Sequence, residues 1–231
     1  MFIIGVAGQA QFGKDVLADH LAKRLNERIG QNPAFSPRWK RAAFGDNVKK
    51  VYQDTFDRTR SFIEEWKVKP EPPPGFDMTV RKSLQFIGDG FRTICPTIWL
   101  DLVFRKETDP IIISDVRYIN EFLRVNSEGG LNILVGRTEK INEDPNGSEA
   151  QIRPYIKWCL ERFDCCDADV VVLKDKNLNV APTHTNKFDL FVKNDGTIEE
   201  LYKVIDEIVV PFVEQFVFQF NEPAILAEIL E

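Results

Sequence analysis

The chain has 231 residues, enough for one domain with a proper core, and its 43% hydrophobic and 29% charged residues are those expected of a soluble globular protein. No apolar run approaches the length that spans a bilayer, and the N-terminus lacks the basic region of a signal peptide. A formal net charge of -6 argues against a surface that coats a nucleic-acid polymer, while leaving room for a local cationic pocket.

Phe2 to Ala7 is predicted as the first strand, and Lys14 to about Ile29 as a helix with Val16, Leu17, Leu21 and Leu25 on its inner face. Between them lies Gly8-Gln-Ala-Gln-Phe-Gly13-Lys14-Asp15, with the spacing G-x-x-x-x-G-K. That spacing alone arises by chance in roughly one chain in fifteen of this length, so the strand before it and the helix after it carry the assignment. Such a loop turns successive N–H groups inward as an anion nest, the helix N-terminus adds its positive end, and a lysine supplies a full charge for outer phosphates. Asp15 stands where the common motif has Ser or Thr.

Gly30 to Pro37 reads as a loop, Ala42 to Phe44 as a short strand, and Asp46 as the cap of a helix running to about Phe62. Four prolines between Lys69 and Gly75 exclude a helix interior there. Helices are predicted over Thr79 to Arg92 and Thr97 to Glu107, and Ile111-Ile112-Ile113 as a buried parallel strand. Tyr118 to Asn126 returns as a helix stopped by Gly129-Gly130, followed by a strand from Asn132 to Val135. Gly136 to Pro154 is polar and turn-rich, a candidate lid. Tyr155 to Phe163 reads as helix, Asp169 to Leu173 and Phe188 to Val192 as strands, and a last helix starts at Thr197. This alternation means a parallel sheet with helical crossovers. Phe212, Phe216, Phe218 and Phe220 are expected to pack on the sheet and leave room for a homodimer surface. Cys95, Cys159, Cys165 and Cys166 match no usual zinc spacing even with His184, and read as reduced thiols of the cytoplasm.

Three further segments narrow the reading: Arg81-Lys-Ser-Leu-Gln-Phe-Ile-Gly-Asp-Gly-Phe-Arg92, Ile113-Ser-Asp-Val-Arg117-Tyr-Ile-Asn-Glu121, and Val192-Lys-Asn-Asp-Gly-Thr-Ile-Glu-Glu-Leu201. Together with the Gly-Lys-Asp ending of the glycine loop, they resemble the phage-type deoxynucleoside monophosphate kinases, in the same order from residue 2 to about residue 205. The resemblance implies a P-loop three-layer α/β/α fold, a single domain over 1–231. Within it would lie an acceptor-binding helical region (about 46–107), a lid (about 136–155) and a C-terminal helical tail (about 197–231). It implies transfer of the γ-phosphoryl group of ATP to a deoxynucleoside monophosphate with Mg2+, in the host cytoplasm if the gene is a phage's. Phosphoryl transfer needs in-line positioning and cations around the equatorial oxygens, and guanidinium forks suit it because they stay charged and bind oxygens in pairs.

On that basis Lys14, Arg81, Arg117 and Arg137 are the candidate catalytic residues. Gly8, Gln11, Phe12, Gly13, Lys14, Asp15 and Val16 would surround the ATP phosphates, with Arg137 closing over ATP and the Asn194-Asp195-Gly196 turn beside its adenine. Read without the family, that turn is a strand-to-helix connection capped by Asp195 or Thr197. Arg81, Lys49, Arg117, Asp115 and Trp99 are assigned to the acceptor, Trp99 being equally readable as a core residue. Asp15 is a candidate magnesium ligand; Asp115 either binds magnesium through water, orients Arg117 or contacts the acceptor nucleoside. The lid departs from the family pattern: Ser148 and Glu149 fit, and its histidine is absent. Two other readings stand beside this one: a kinase of the same fold acting on dephospho-coenzyme A or phosphomevalonate, and a nucleotide-binding module without transfer activity.

Overall fold

The computed structural model describes residues 1–29, 38–141, 149–163, 170–173 and 188–217. The expected loop at Gly30 to Pro37, most of the candidate lid, Cys165, Cys166, His184, Phe218 and Phe220 lie outside the described residues. The chain divides into two compact units, Ala42–Thr108 and the rest (Met1–Arg41 with Asp109–Glu231).

The larger unit is built on a six-stranded sheet. Its elements are β1 (Ile3–Ala7), α1 (Lys14–Ile29) and β2 (Lys40–Ala42), then, after the helical unit, β3 (Ile111–Val116), α6 (Ile119–Ser127), β4 (Leu131–Gly136), α7 (Arg153–Phe163), β5 (Val170–Val172), β6 (Leu190–Lys193) and α8 (Ile198–Val204). The strand order is β2-β3-β1-β4-β6-β5. β1 is parallel to both β3 and β4, and β4 is parallel to β6. Every residue of β1 and β4 is buried, so these strands read as continuous apolar runs rather than alternations. One helical layer joins α1 to α8; α6 and α7 pack on β1 and β4 and form the other. The fold is the three-layer α/β/α fold expected, and the described residues contain no helix long and apolar enough to cross a membrane.

The crevice that matters lies at the carboxyl end of β1, where the chain order reverses between β3 and β4. There the β1–β3 register slips: Gly5 faces Ile113 but Ala7 faces Val116, so β3 carries one residue more, within Ser114-Asp115. Such bulges re-aim side chains beside active sites.

The helical unit holds α2 (Phe44–Phe56), α3 (Arg60–Trp66), α4 (Val80–Ile94) and α5 (Ile98–Lys106). Tyr52, Ile63 and Val80 form its core, with Phe62, Trp66, Phe76, Leu84 and Ile87 packed around them. The expected acceptor-binding stretch falls inside this unit.

Four expectations are corrected. The short strand lies at Lys40–Ala42 rather than Ala42 to Phe44, because Phe44, Val48 and Tyr52 are a buried helical stripe that starts α2 early. Asp46 is therefore inside the first turn, and the cap position is Ala43. The single helix to Phe62 is two helices: Asp57 adopts φ 49°, which a short polar side chain tolerates, and Thr59 Oγ1 accepts the N–H of Phe62 to start α3. β5 is antiparallel to β6, as a short edge strand needing no helical crossover can be.

Candidate active site

β1 delivers the chain into the glycine loop with three residues in the positive-φ region: Gly8 at 153°, Gln11 at 65° and Gly13 at 86°. A Cβ on Gly8 would stand 2.7 Å from the Val135 carbonyl oxygen, and one on Gly13 would stand 2.5 Å from Nδ2 of Asn194. Both positions thus need glycine for space as well as for backbone angle. The Asn194 amide donates to the Phe12 carbonyl at 2.9 Å and is buried, so a side chain from beyond β6 pins the loop. Sequence reasoning had given Asn194 only a backbone role beside adenine.

Lys14 opens α1 and is 7% exposed, its Nζ donating to the Gln9 carbonyl at 2.5 Å. Burial, and after it the neighbouring charge of Arg117, brings its pKa down from 10.5 to about 8, against the opposing pull of Glu149, Asp15 and Asp115. Arg117, Glu149, Asp15 and Asp115 thus all act on Lys14 at the end of the loop.

Asp15 is largely exposed, and its Oδ1 accepts from Ser114 Oγ at 2.7 Å and from Arg41 Nη1 at 2.8 Å. Arg41 Nε also pairs with Asp19 at 2.9 Å. Neither Ser114 nor Arg41 was foreseen. Ser114 could have been noticed as the one hydroxyl ending an apolar strand, whereas nothing in the sequence around Arg41 marks it. Asp15, Ser114 and Asp115 offer hard oxygen atoms of the kind magnesium prefers. Among the described residues no cluster of three or more His, Cys, Asp or Glu could hold a metal alone. A magnesium ion would therefore complete its shell with phosphate oxygens and water, as it does beside nucleotides.

Arg117 leaves β3 next to Gly8 and is held at both ends. Its backbone N–H donates to Glu121 Oε2 at 2.7 Å, and Tyr118 N–H donates to the same oxygen at 3.0 Å. This is the physical content of the Arg-x-x-x-Glu spacing: a buried glutamate one turn into α6 takes up the N–H groups at the helix start. The guanidinium lies 3.2 Å from Oε1 of Glu149, which also accepts the Ala10 N–H at 2.8 Å.

Arg137 follows β4 and is half-buried, with no ion pair to any described residue. The next residue, Thr138, gives both its N–H and its hydroxyl to the Asp195 carboxylate, at 2.7 and 2.6 Å. Asp195 is thus tied to the stretch after β4, and the capping of α8 falls to Thr197, whose Oγ1 accepts from Glu200 N–H while Glu200 returns to Thr197 N–H. Gly196 lies between these two turns.

Three expected residues belong to the helical unit. Arg81, in the first turn of α4, is exposed and makes no ion pair with a described residue. Lys49 is engaged: it lies 3.0 Å from Glu64 and 3.7 Å from Asp46, in a network with Arg60 and Lys67. Trp99 is 2% exposed, donates its indole N–H to the Gly88 carbonyl at 3.0 Å and packs on Phe91. Of its two readings, the core one describes its surroundings. Cys159 is likewise buried, and burial pushes its thiol well above the ordinary range, as an idle thiol should be.

A curated protein of Acanthamoeba polyphaga mimivirus, named "Putative deoxynucleotide monophosphate kinase", is 27% identical over 197 residues, covering 77% of this chain and 91% of that protein. The resemblance read from the motifs is borne out. The aligned length exceeds by far the segments that first suggested these kinases. No protein-family model matches the chain. A crystal structure of shikimate kinase from Bacteroides thetaiotaomicron aligns with a TM-score of 0.36 and 10% identity, over 90% of this chain and 98% of its own.

Proposed function

We propose that the chain is an ATP-dependent deoxynucleoside monophosphate kinase, forming a deoxynucleoside diphosphate and ADP. The observation that carries this reading is the Gly8–Gly13 loop itself, bent through positive-φ residues between β1 and α1, with Lys14 buried at its end and Arg117 following the neighbouring strand β3. A strand, a glycine loop and a helix N-terminus with a lysine suit an anion nest, and an arginine beside it suits a second phosphate. The mimiviral relative's name supports the acceptor class.

In this mechanism the loop N–H groups and Lys14 hold the donor phosphates, and Lys14 follows the charge onto the transferring group. Arg117 spreads its guanidinium over the equatorial oxygens, where charge grows in a loose transition state. Arg137 covers the donor. Arg81 grips the acceptor phosphate, with Lys49 assisting by exchanging Glu64 for a phosphate oxygen. Asp15 and Asp115 would hold Mg2+, directly or through water, and that ion would supply charge neutralisation across the donor phosphates. No covalent intermediate on the protein is needed; positioning and electrostatics suffice.

The test is Mg-ATP with a panel of ribo- and deoxynucleoside monophosphates, using Lys14→Ala as the blank. Diphosphate formation is expected from at least one of dGMP, dTMP or another pyrimidine deoxynucleotide. Turnover that ignores all of them and responds to dephospho-coenzyme A would transfer the chain to the other kinase reading. Loss of Arg117 or Arg81 should slow turnover on the order of a thousandfold.

A further inference from the structure

Glu149 lies within the candidate lid stretch, 13 residues past the end of β4, and its carboxylate is buried against the loop, its side chain 7% exposed. One oxygen, Oε1, receives the Ala10 N–H at 2.8 Å and stands 3.2 Å from Nη1 of Arg117. Two residues on, Gln151 Oε1 accepts the Ile119 N–H at 3.0 Å, tying the same short stretch to the start of α6. A buried carboxylate is costly unless paired and hydrogen-bonded, and here both compensations come from the groups assigned to phosphate.

The main chain at Arg117 is already fixed by Glu121, but an arginine side chain retains rotamer freedom along its long stem. A guanidinium that is to stabilise a transition state must be oriented before the reaction, because reorientation during it would raise the barrier. We propose that Glu149 is a positioning residue: it orients the Arg117 guanidinium and fixes the Ala10 segment of the loop, without itself touching the reacting phosphates. The proposal rests on the kinase reading for its catalytic consequence and on the two contacts of Oε1 for its geometry.

Glu149→Gln separates the two contacts, since an amide oxygen still accepts the Ala10 N–H but no longer carries the charge that holds Arg117. In this variant the melting temperature and the KM for Mg-ATP should stay close to wild type, while kcat falls on the order of 10- to 100-fold, the scale of a small misplacement. The double variant Glu149→Gln with Arg117→Gln should be no slower than Arg117→Gln alone, because both act through one group. A structural role unconnected with Arg117 would give losses that multiply. Side-chain 1H–15N spectra give a readout independent of turnover: the Arg117 Nε–H signal, assigned by its disappearance in Arg117→Lys, should shift or broaden in Glu149→Gln. Wild-type protein inert toward every nucleotide acceptor sinks the kinase reading, and the spectra still decide the role of Glu149. An unmoved Arg117 signal, multiplicative losses, or turnover in Glu149→Gln equal to or above wild type each overturns the proposal.

Discussion

Lys14 carries its charge against its surroundings. Its folded-state pKa of about 8 lies below the 10.5 of an unfolded chain, a difference of about 3 kcal/mol against the protonated form. The sign follows: between those two values the unfolded chain binds the extra proton, so raising the pH through this window stabilises the ligand-free protein. Bound phosphate reverses the preference, since it favours the charged lysine. ADP affinity should therefore fall as pH rises through 8, while the free protein gains resistance to urea above pH 8. Lys14→Met should show neither trend. Titration calorimetry and urea midpoints across pH 7 to 10 would check both, and an affinity flat across that range would remove Lys14 from the phosphate site.

Glu64 gives the opposite case at the residue scale. Burial alone would raise its pKa, but hydrogen bonds from Lys67, Lys49 and Arg60 outweigh it and bring it from 4.5 down to about 2. Its folded pKa is depressed, so its stabilising contribution is complete above pH 4.5 and disappears as pH falls toward 2. The carboxylate is more than a third exposed, so solvent screening keeps the effect small. Glu64→Gln should narrow the loss of stability between pH 5 and pH 3 and leave the alkaline side unchanged, as urea midpoints would show.

At the scale of elements, what the sequence disclosed and what it hid divide by chain separation. The glycine loop, the Arg117-to-Glu121 spacing and the Thr197–Glu200 cap are local devices, whose partners lie within one or two turns. Asn194 reaches Phe12 because the parallel sheet brings distant strand ends together, and Glu149 reaches Ala10 across 139 residues of chain. Ser114 meets Asp15 through a bulge that no periodicity announces. Pro211 teaches the same lesson in a helix. Helix continues from 210 to 217, as the expected helical tail requires, but the turn Ile205–Val209 just before the proline widens to π, with Val210 N–H reaching Ile205. A proline lacks the N–H and crowds the carbonyl four residues back, which a wider turn accommodates. The Glu121 device can be tested at this scale. Glu121→Ala leaves two N–H groups at the start of α6 without their acceptor and should cost about 1–3 kcal/mol in urea unfolding, with Glu121→Gln intermediate. Equal stability of all three proteins would mean that α6 starts without this cap.

For the molecule as a whole, net charge does not favour a polyanion. The chain carries -6 overall, and in the crevice at the end of β1 the cations Lys14, Arg41 and Arg117 stand among the carboxylates of Asp15, Asp115 and Glu149. Attraction of a polyanion is therefore local and depends on the nest, since the global field opposes it. Ligand that binds only the folded chain stabilises it by mass action, about 2.7 kcal/mol at a hundred times the dissociation constant. For a chain of this size each kcal/mol moves the melting temperature by about 2–4 °C, so saturating Mg-ATP should raise it by roughly 5–10 °C. Lys14→Ala should lose most of that shift, and so should Gly13→Ala, whose added Cβ would collide with the Asn194 amide that pins the loop. Arg81→Ala should keep the ATP shift and lose the smaller shift given by a deoxynucleoside monophosphate, because its charge is assigned to the acceptor alone. A melting temperature indifferent to ATP in the wild type, at concentrations that saturate kinases, would mean that the loop is not a triphosphate site at all.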